Sequence, residues 1–266
     1  MPESAEVRRT VDYLEKHLVG NQITDWIFVS GKYIKQYPEG YEEFAENLPM
    51  TVKTVNCKGK FIYFILENDM GEKYYILHSM MLTGRWQPYR DEQCRWFVET
   101  DLNVSLWFRN PRSFATLTFT TDRKVLDAKL SKLGVDILTS EFTLEKFLAL
   151  VARYPRRNIC SFLMDQSVIS GCGNYIKAET LYYAKVSPLR KIGQLSDDEL
   201  RLVYQGLWKI PRHAYKVRGL SMRDYKDPES TKCGQSRDLK IYRKEWATRT
   251  KTPDGRITHW NPEIQK

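Results

Sequence analysis

The sequence has no CxxC pair, no long apolar run and no surplus of acidic side chains. Its five cysteines, Cys57, Cys94, Cys160, Cys172 and Cys233, are odd in number and scattered. That pattern excludes a disulfide framework and a paired-cysteine zinc knuckle, and it predicts reduced thiols and no bound metal. A membrane-spanning helix needs about 20 consecutive apolar residues, and no stretch approaches that length. The N-terminus meets a carboxylate at Glu3 and carries no signal-peptide core, so the reading is of a soluble, intracellular protein.

What is present is a chain of 266 residues, 42% of them hydrophobic, enough to form two ordinary domains with real cores. Lys and Arg outnumber Asp and Glu by 42 to 33, a net charge of +9. A polyanionic partner follows, because each neutralised phosphate releases counterions and adds sequence-independent affinity. An acidic membrane surface would satisfy the same charge, but no basic amphipathic helix stands out to lie on one.

Met1-Pro2-Glu3 leads directly into Val11, Leu14 and Leu18, an apolar face at helical spacing. If Met1 is removed, as a following proline permits, Pro2 presents a secondary amine beside Glu3 and Glu6. Such an amine titrates near neutrality and attacks an aldehyde carbon to give a charged iminium, an electron sink that lysine forms less readily. The same residues also suit an ordinary helix start, in which Glu3 and Glu6 charge the first turn favourably.

From Ile23 to Phe119 the pattern turns to β, with runs at 26–29, 61–66, 74–77, 104–108 and 115–119, and it predicts a sandwich or barrel. Lys60, after Gly59, stands where a strand begins. Leu82-Thr83-Gly84 follows another strand, and Arg112-Ser113-Phe114 projects a cation and an aromatic from a loop. A solvated turn lysine and a surface cation–aromatic pair would look the same. Residues 125–150 read as a connector and helix, and 161–181 as helix, turn, helix around Gly171-Cys172-Gly173-Asn174. A Gly-rich turn that opens a helix can bind a phosphate through unpartnered amides, with Asn174 donating a further bond; a plain hairpin of helices explains the glycines too. Ser196 to Glu199 makes a capping box for a helix through Leu200, Val203 and Leu207. Residues 218–238 read as a loop, and 240–244 with 253–260 as two strands of a basic, aromatic hairpin.

Taken in order, Met1-Pro2-Glu3 with Glu6, Gly59-Lys60, Leu82-Thr83-Gly84, Arg112-x-Phe114, Leu163-Met164-Asp165-Gln166, Gly171-x-Gly173-Asn174-Tyr175, Ala178-Glu179 and Gly255-Arg256-x-Thr258 form a specific set. Over nearly the whole chain they resemble the formamidopyrimidine-DNA glycosylase and endonuclease VIII family, most closely its endonuclease VIII-like members, including those of large DNA viruses. The resemblance implies an α+β fold in three parts: an N-terminal β-sandwich over 1–125, a helix-two-turns-helix domain over 126–235 and a C-terminal finger hairpin over 236–266. It implies a monomeric, bifunctional DNA glycosylase and abasic-site lyase that needs no cofactor. Its partner would be damaged DNA, duplex or single-stranded, from which oxidised bases are excised. By resemblance Pro2 is the nucleophile that forms a Schiff base, Glu3 the proton donor and Lys60 the second essential amine. Arg256 is the phosphate contact linked to δ-elimination. Leu82, Arg112 and Phe114 would fill the stack left by the extruded nucleotide, and Arg95 and Asn174 would contact DNA.

Three departures from that family stand out. Ser4-Ala5 follows Glu3 where the family has Gly-Pro or Leu-Pro, which leaves a DNA-binding protein of the same fold without chemistry as the alternative. Asn110-Pro111-Arg112-Ser113-Phe114-Ala115 lacks a second arginine and a glycine. The four finger cysteines are missing, with Asn261 and Ile264 at the last two places, so a zincless finger is expected. Packing of Tyr242, Trp246 and Trp260 across its strands would then replace the metal, since an isolated two-stranded ribbon is marginal in water.

Overall fold

A computed structural model of the chain describes residues 2–220, 225–229 and 238–266. It opens with helix α1 (Ser4–Leu18), whose buried residues Val7, Val11, Leu14 and Leu18 recur every three to four positions and face the sheet that follows. That sheet has eight strands: β1 (Gln22–Phe28), β2 (Met50–Lys58), β3 (Phe61–Glu67), β4 (Lys73–Ser79), β5 (Arg85–Gln87), β6 (Cys94–Thr100), β7 (Ser105–Arg109) and β8 (Thr116–Thr120). Two short helices, α2 (Lys32–Lys35) and α3 (Tyr41–Glu46), lie between β1 and β2. The spatial order is β5-β7-β6-β1-β2-β3-β4-β8, antiparallel throughout. The five expected β runs are all strands, and β2, β5 and β6 join them.

The sheet folds over at the β1–β2 junction, where only two residue pairs are in register. This brings Trp26 of β1 edge-on to Phe64, Trp86 and Phe119 from distant strands, and the two layers close on an aromatic core. His78 sits inside it, its ring Nδ1 3.0 Å from the Thr116 carbonyl. Burial pushes its pKa down to about 4, so it is a neutral core residue.

The second half is helical. Helix α4 (Arg123–Ser131) lays Leu126 back against Phe61 and Tyr75 of the sheet. Then come β9 (Val135–Asp136), α5 (Leu144–Ala152), α6 (Ile159–Met164), β10 (Ile169–Ser170), α7 (Asn174–Tyr183) and α8 (Asp197–Lys216). The pair α6 and α7, separated by two turns and β10, is the helix-two-turns-helix unit. The Ser196–Glu199 capping box opens α8 as expected. Most of the expected loop at 218–238, with Cys233, lies outside the described residues.

The chain ends in a hairpin of β11 (Thr248–Lys251) and β12 (Ile257–Trp260), turning at Gly255 with φ +78°. Its first strand is not 240–244, as the sequence suggests. The backbone N–H groups of Lys240, Ile241 and Tyr242 all donate to the Glu179 carboxylate at 2.7–2.9 Å, so they are unavailable to a ladder.

Candidate active site

The N-terminus, the start of β3 and the turn before α7 meet at one joint. Ser4 N–H donates to the Gly171 carbonyl at 3.1 Å, Gly59 N–H to Asp136 Oδ2 at 2.7 Å, and Lys60 Nζ to the Cys172 carbonyl at 2.6 Å. Gly59 has φ +61°, and a Cβ there would stand 2.6 Å from the Gly171 amide nitrogen, so the backbones can approach this closely only through glycine. Gln166 secures the turn, accepting from Gly171 N–H at 3.0 Å and donating to the Cys172 carbonyl at 2.9 Å. Motif residues more than a hundred positions apart are thereby joined. Pro2 and Lys60 line one cavity of about 220 Å³, walled by Phe61, Met80, Met81 and Leu133.

Glu3 is 2% exposed. Its Oε1 accepts from Tyr175 N–H at 2.9 Å and its Oε2 from Ile176 N–H at 3.2 Å, at the positive end of α7. A Cβ at Gly173 would overlap this carboxyl. The turn thus uses these helix-opening amides to hold a carboxylate of the chain itself, where the sequence suggested a phosphate. Burial raises the Glu3 pKa to about 7, against the nearby Lys60 cation and the Tyr175 and Ile176 amides, which pull it down. Burial likewise depresses the Lys60 amine, against the pull of Glu3 and with the Arg256 charge adding to the depression. Both groups are pushed toward their uncharged forms, giving an acid that holds its proton near neutrality beside an amine that sheds one more easily.

Behind Glu3, Glu6 is fully buried and its pKa is raised, mainly by desolvation. It accepts from Glu3 N–H at 2.9 Å, from the Tyr175 hydroxyl at 3.2 Å and from Leu220 N–H at 3.1 Å. The roles of Tyr175 and Leu220 here have no local signature in the sequence, because the partners lie more than 160 residues away.

The hairpin is bolted to α7. Lys177 Nζ and Asp254 Oδ2 form an ion pair at 2.6 Å with side chains 0% and 2% exposed. Asn174 Nδ2 donates to the Ile257 carbonyl at 3.0 Å, and within the hairpin the Thr252 and Thr258 hydroxyls meet at 2.7 Å. The expected aromatic packing across the strands needs correction: Trp246 is 57% exposed against Tyr182, Tyr242 packs on His259 and Tyr175, and Trp260 donates to Thr250 Oγ1. A zinc ion, implied by the wider family, has no matching donor set, since no three His, Cys, Asp or Glu side chains converge among the described residues. Arg256 is exposed beyond Gly255, with its side chain in no hydrogen bond or ion pair among the described residues, yet close enough for its charge to act on Lys60.

Leu82, Arg112 and Phe114 lie on two loops tied together by the Thr83 hydroxyl and the Asn110 side chain at 3.2 Å. Leu82 is half-buried, Arg112 is exposed, and Phe114 is 53% exposed although flanked by buried Ala115. Arg95 is engaged within the protein. It donates to the Asn110 and Pro111 carbonyls at 2.9 and 3.0 Å and to Ser30 Oγ at 2.6 Å, so it braces the loop that carries Arg112.

Comparisons with known proteins point to one family. The description "Formamidopyrimidine-DNA glycosylase N-terminal domain" matches residues 1–117, and "Formamidopyrimidine-DNA glycosylase H2TH domain" matches 133–226. The formamidopyrimidine-DNA glycosylase of Xanthomonas campestris pv. campestris is 30% identical over 250 residues, covering 92% of this chain and 89% of its own. Endonuclease 8 of Pectobacterium carotovorum subsp. carotovorum is 28% identical over 236 residues, covering 82% and 81%. Among solved structures, the MutM (Fpg) protein of Thermus thermophilus superposes with a TM-score of 0.84 at 23% identity, over 99% of this chain and 98% of that one. MutM in complex with DNA containing carbocyclic 8-oxo-G superposes with a TM-score of 0.84 at 22% identity, over the full length of both chains.

Proposed function

The chain belongs to the formamidopyrimidine-DNA glycosylase and endonuclease VIII family, and from that premise we propose how its own residues carry out the reaction. It is a base-excision-repair DNA glycosylase and abasic-site lyase whose substrate is damaged DNA. Once Met1 is removed, the Pro2 nitrogen bonds to C1′ of the extruded nucleotide as the C1′–N bond to the damaged base breaks and its electron pair goes to the base. The proton lost from Pro2 is relayed through the Lys60 amine to the departing base. Glu3 gives its proton to the ring oxygen, the sugar opens, and C1′ becomes an iminium carbon. The iminium draws electrons from the C2′–H bond, so that loss of that proton expels the 3′ phosphate; a second elimination expels the 5′ phosphate.

The observation that carries this reading is the cavity shared by Pro2 and Lys60, with an acid near neutrality held at the neighbouring helix end. Arg256 would hold a phosphate beside the lesion by charge-assisted hydrogen bonds, and Asn174 would support it from α7. Leu82, Arg112 and Phe114 would enter the vacated stack, with Arg95 positioning their loop. We propose that the hairpin is of the zincless type of the endonuclease VIII-like members, including those of large DNA viruses; the lack of a converging donor set among the described residues supports this. Work would divide among residues 1–125 for chemistry, 126–235 for DNA docking and 236–266 for the phosphate clamp; the last boundary lies outside the described residues. The Ser4-Ala5 departure does not loosen this site, because Ser4 N–H is bonded to Gly171 and Ala5 is fully buried.

Borohydride reduction on abasic DNA tests the reading, because only an amine adduct is trapped. The adduct should map to the N-terminal peptide, and Pro2→Gly should lose most glycosylase activity. Attachment at Lys60 would overturn the assignment of the nucleophile, and no adduct at all would favour a protein that binds without chemistry.

A further inference from the structure

Six non-glycine residues among those described have positive φ, and Met81, at +57°, is the one that lines the cavity shared by Pro2 and Lys60. A left-handed backbone is unfavourable for a residue with a Cβ, and it persists only where surrounding structure imposes it. Here the turn is fixed at both ends. Met80 is buried, its carbonyl accepts from Gly84 N–H at 3.1 Å, and Thr83 is tied to Asn110. Gly84 is packed so closely that a Cβ there would overlap the Met80 carbonyl. At position 81 itself glycine would relieve the strain, yet the chain places a long apolar side chain there and leaves it 47% exposed.

Resting on the glycosylase reading above, we propose that Met81 is a specificity-determining contact that packs its thioether against the base of the extruded nucleotide. Adjacent Leu82 would enter the stack, while Met81 would face the nucleotide that has left it. An unbranched thioether suits this, because it adapts to different flat rings and makes favourable contacts with aromatic faces. Nothing polar is asked of the residue. The role is apolar coverage of the base beside the nucleophile, so it should matter while a base is attached and cease to matter once the base has gone.

The test compares wild type, Met81→Gly and Met81→Leu on duplex DNA carrying either 5-hydroxyuracil or a preformed abasic site, under single-turnover conditions. Met81→Gly should unfold at the same temperature as wild type or about 1–3 °C higher, since the strain is released. Excision of 5-hydroxyuracil should nevertheless fall about tenfold or more, the effect of losing one apolar contact to the reacting group. Cleavage of the abasic site should stay within about twofold, and Met81→Leu should keep most of the excision activity. Unchanged excision in Met81→Gly would overturn the proposal. So would an equal loss on both substrates, or a fall of several degrees in unfolding temperature. A wild-type protein that neither traps abasic DNA nor excises would instead overturn the glycosylase reading, and this proposal with it.

Discussion

Glu3 shows how one residue's surroundings shift its own proton affinity. Desolvation lifts its carboxyl from an ordinary 4.5 to about 7, so the protonated form that the proposed sugar opening requires is present below neutrality and lost above it. The single-turnover excision rate should therefore fall as pH rises through about 7, with a rate flat from pH 6 to 8.5 assigning proton donation elsewhere. The same shift has a sign for stability. The unfolded carboxyl ionises near 4.5 and the folded one near 7, so this group works against folding increasingly as pH rises through that window. The loop residues offer a second test at this scale. Phe114 exposes half its surface and Leu82 a smaller part, which as simple core residues they would not. Leu82→Ala and Phe114→Ala should slow excision from duplex DNA about tenfold more than cleavage of a preformed abasic single strand, because only the duplex must be unstacked. Equal losses on the two substrates would reduce both residues to packing.

Among the elements, the terminal hairpin depends most on its neighbours. A two-stranded ribbon is marginal alone, and here a buried ion pair from α7, a side-chain amide and a pair of threonine hydroxyls hold it. Removing one member of a fully buried pair leaves the other charged and unpartnered, at a cost of about 3–5 kcal/mol, whereas replacing both with apolar side chains is close to neutral. Asp254→Asn should therefore lose strand cleavage and hydrogen-exchange protection in β11 and β12, while Lys177→Met with Asp254→Leu recovers the protection. An Asp254→Asn protein with normal protection would show that the pair does not set the hairpin. Elemental analysis should find no stoichiometric zinc, and bound zinc would overturn the zincless assignment. Arg256→Ala should impair strand cleavage beyond what low salt restores, and should shallow the salt dependence of binding by about one unit of slope.

Across the whole molecule, the candidate active site is assembled where two halves of the chain touch backbone to backbone. Gly59 and Gly171 make that contact, with φ +61° and +98°. A methyl group at Gly59 would overlap the Gly171 amide nitrogen and one at Gly171 the Ser4 side chain, so either would wedge the joint open and pull the Cys172 carbonyl away from Lys60. Gly59→Ala should lower the unfolding temperature by several degrees and reduce borohydride trapping in the remaining folded protein. Full trapping with an unchanged unfolding temperature would show that the joint tolerates separation. The net charge of +9 belongs to this scale too: it attracts DNA of any sequence, and affinity for undamaged duplex should fall linearly with the logarithm of salt concentration.

Much of this was legible in the residues themselves. The ordered motif set, from Met1-Pro2-Glu3 through Gly59-Lys60 to Gly255-Arg256-x-Thr258, carried the class of chemistry through its resemblance to a family, and Gly59 marked a close backbone approach that only glycine permits. Runs of β-branched and aromatic residues between turns marked five strands, and the Ser196 capping box marked α8, because those signals are local. The sequence alone could not decide what the turn before α7 binds: its amides are taken by Glu3, 172 residues away. Nor could it pair Lys177 with Asp254, assign Glu179 to the amides of 240–242, or turn Arg95 inward to its own loops. Each of those depends on which groups are shut away from water together. Pairing and burial across such separations are set by packing, so only the tertiary structure decides them.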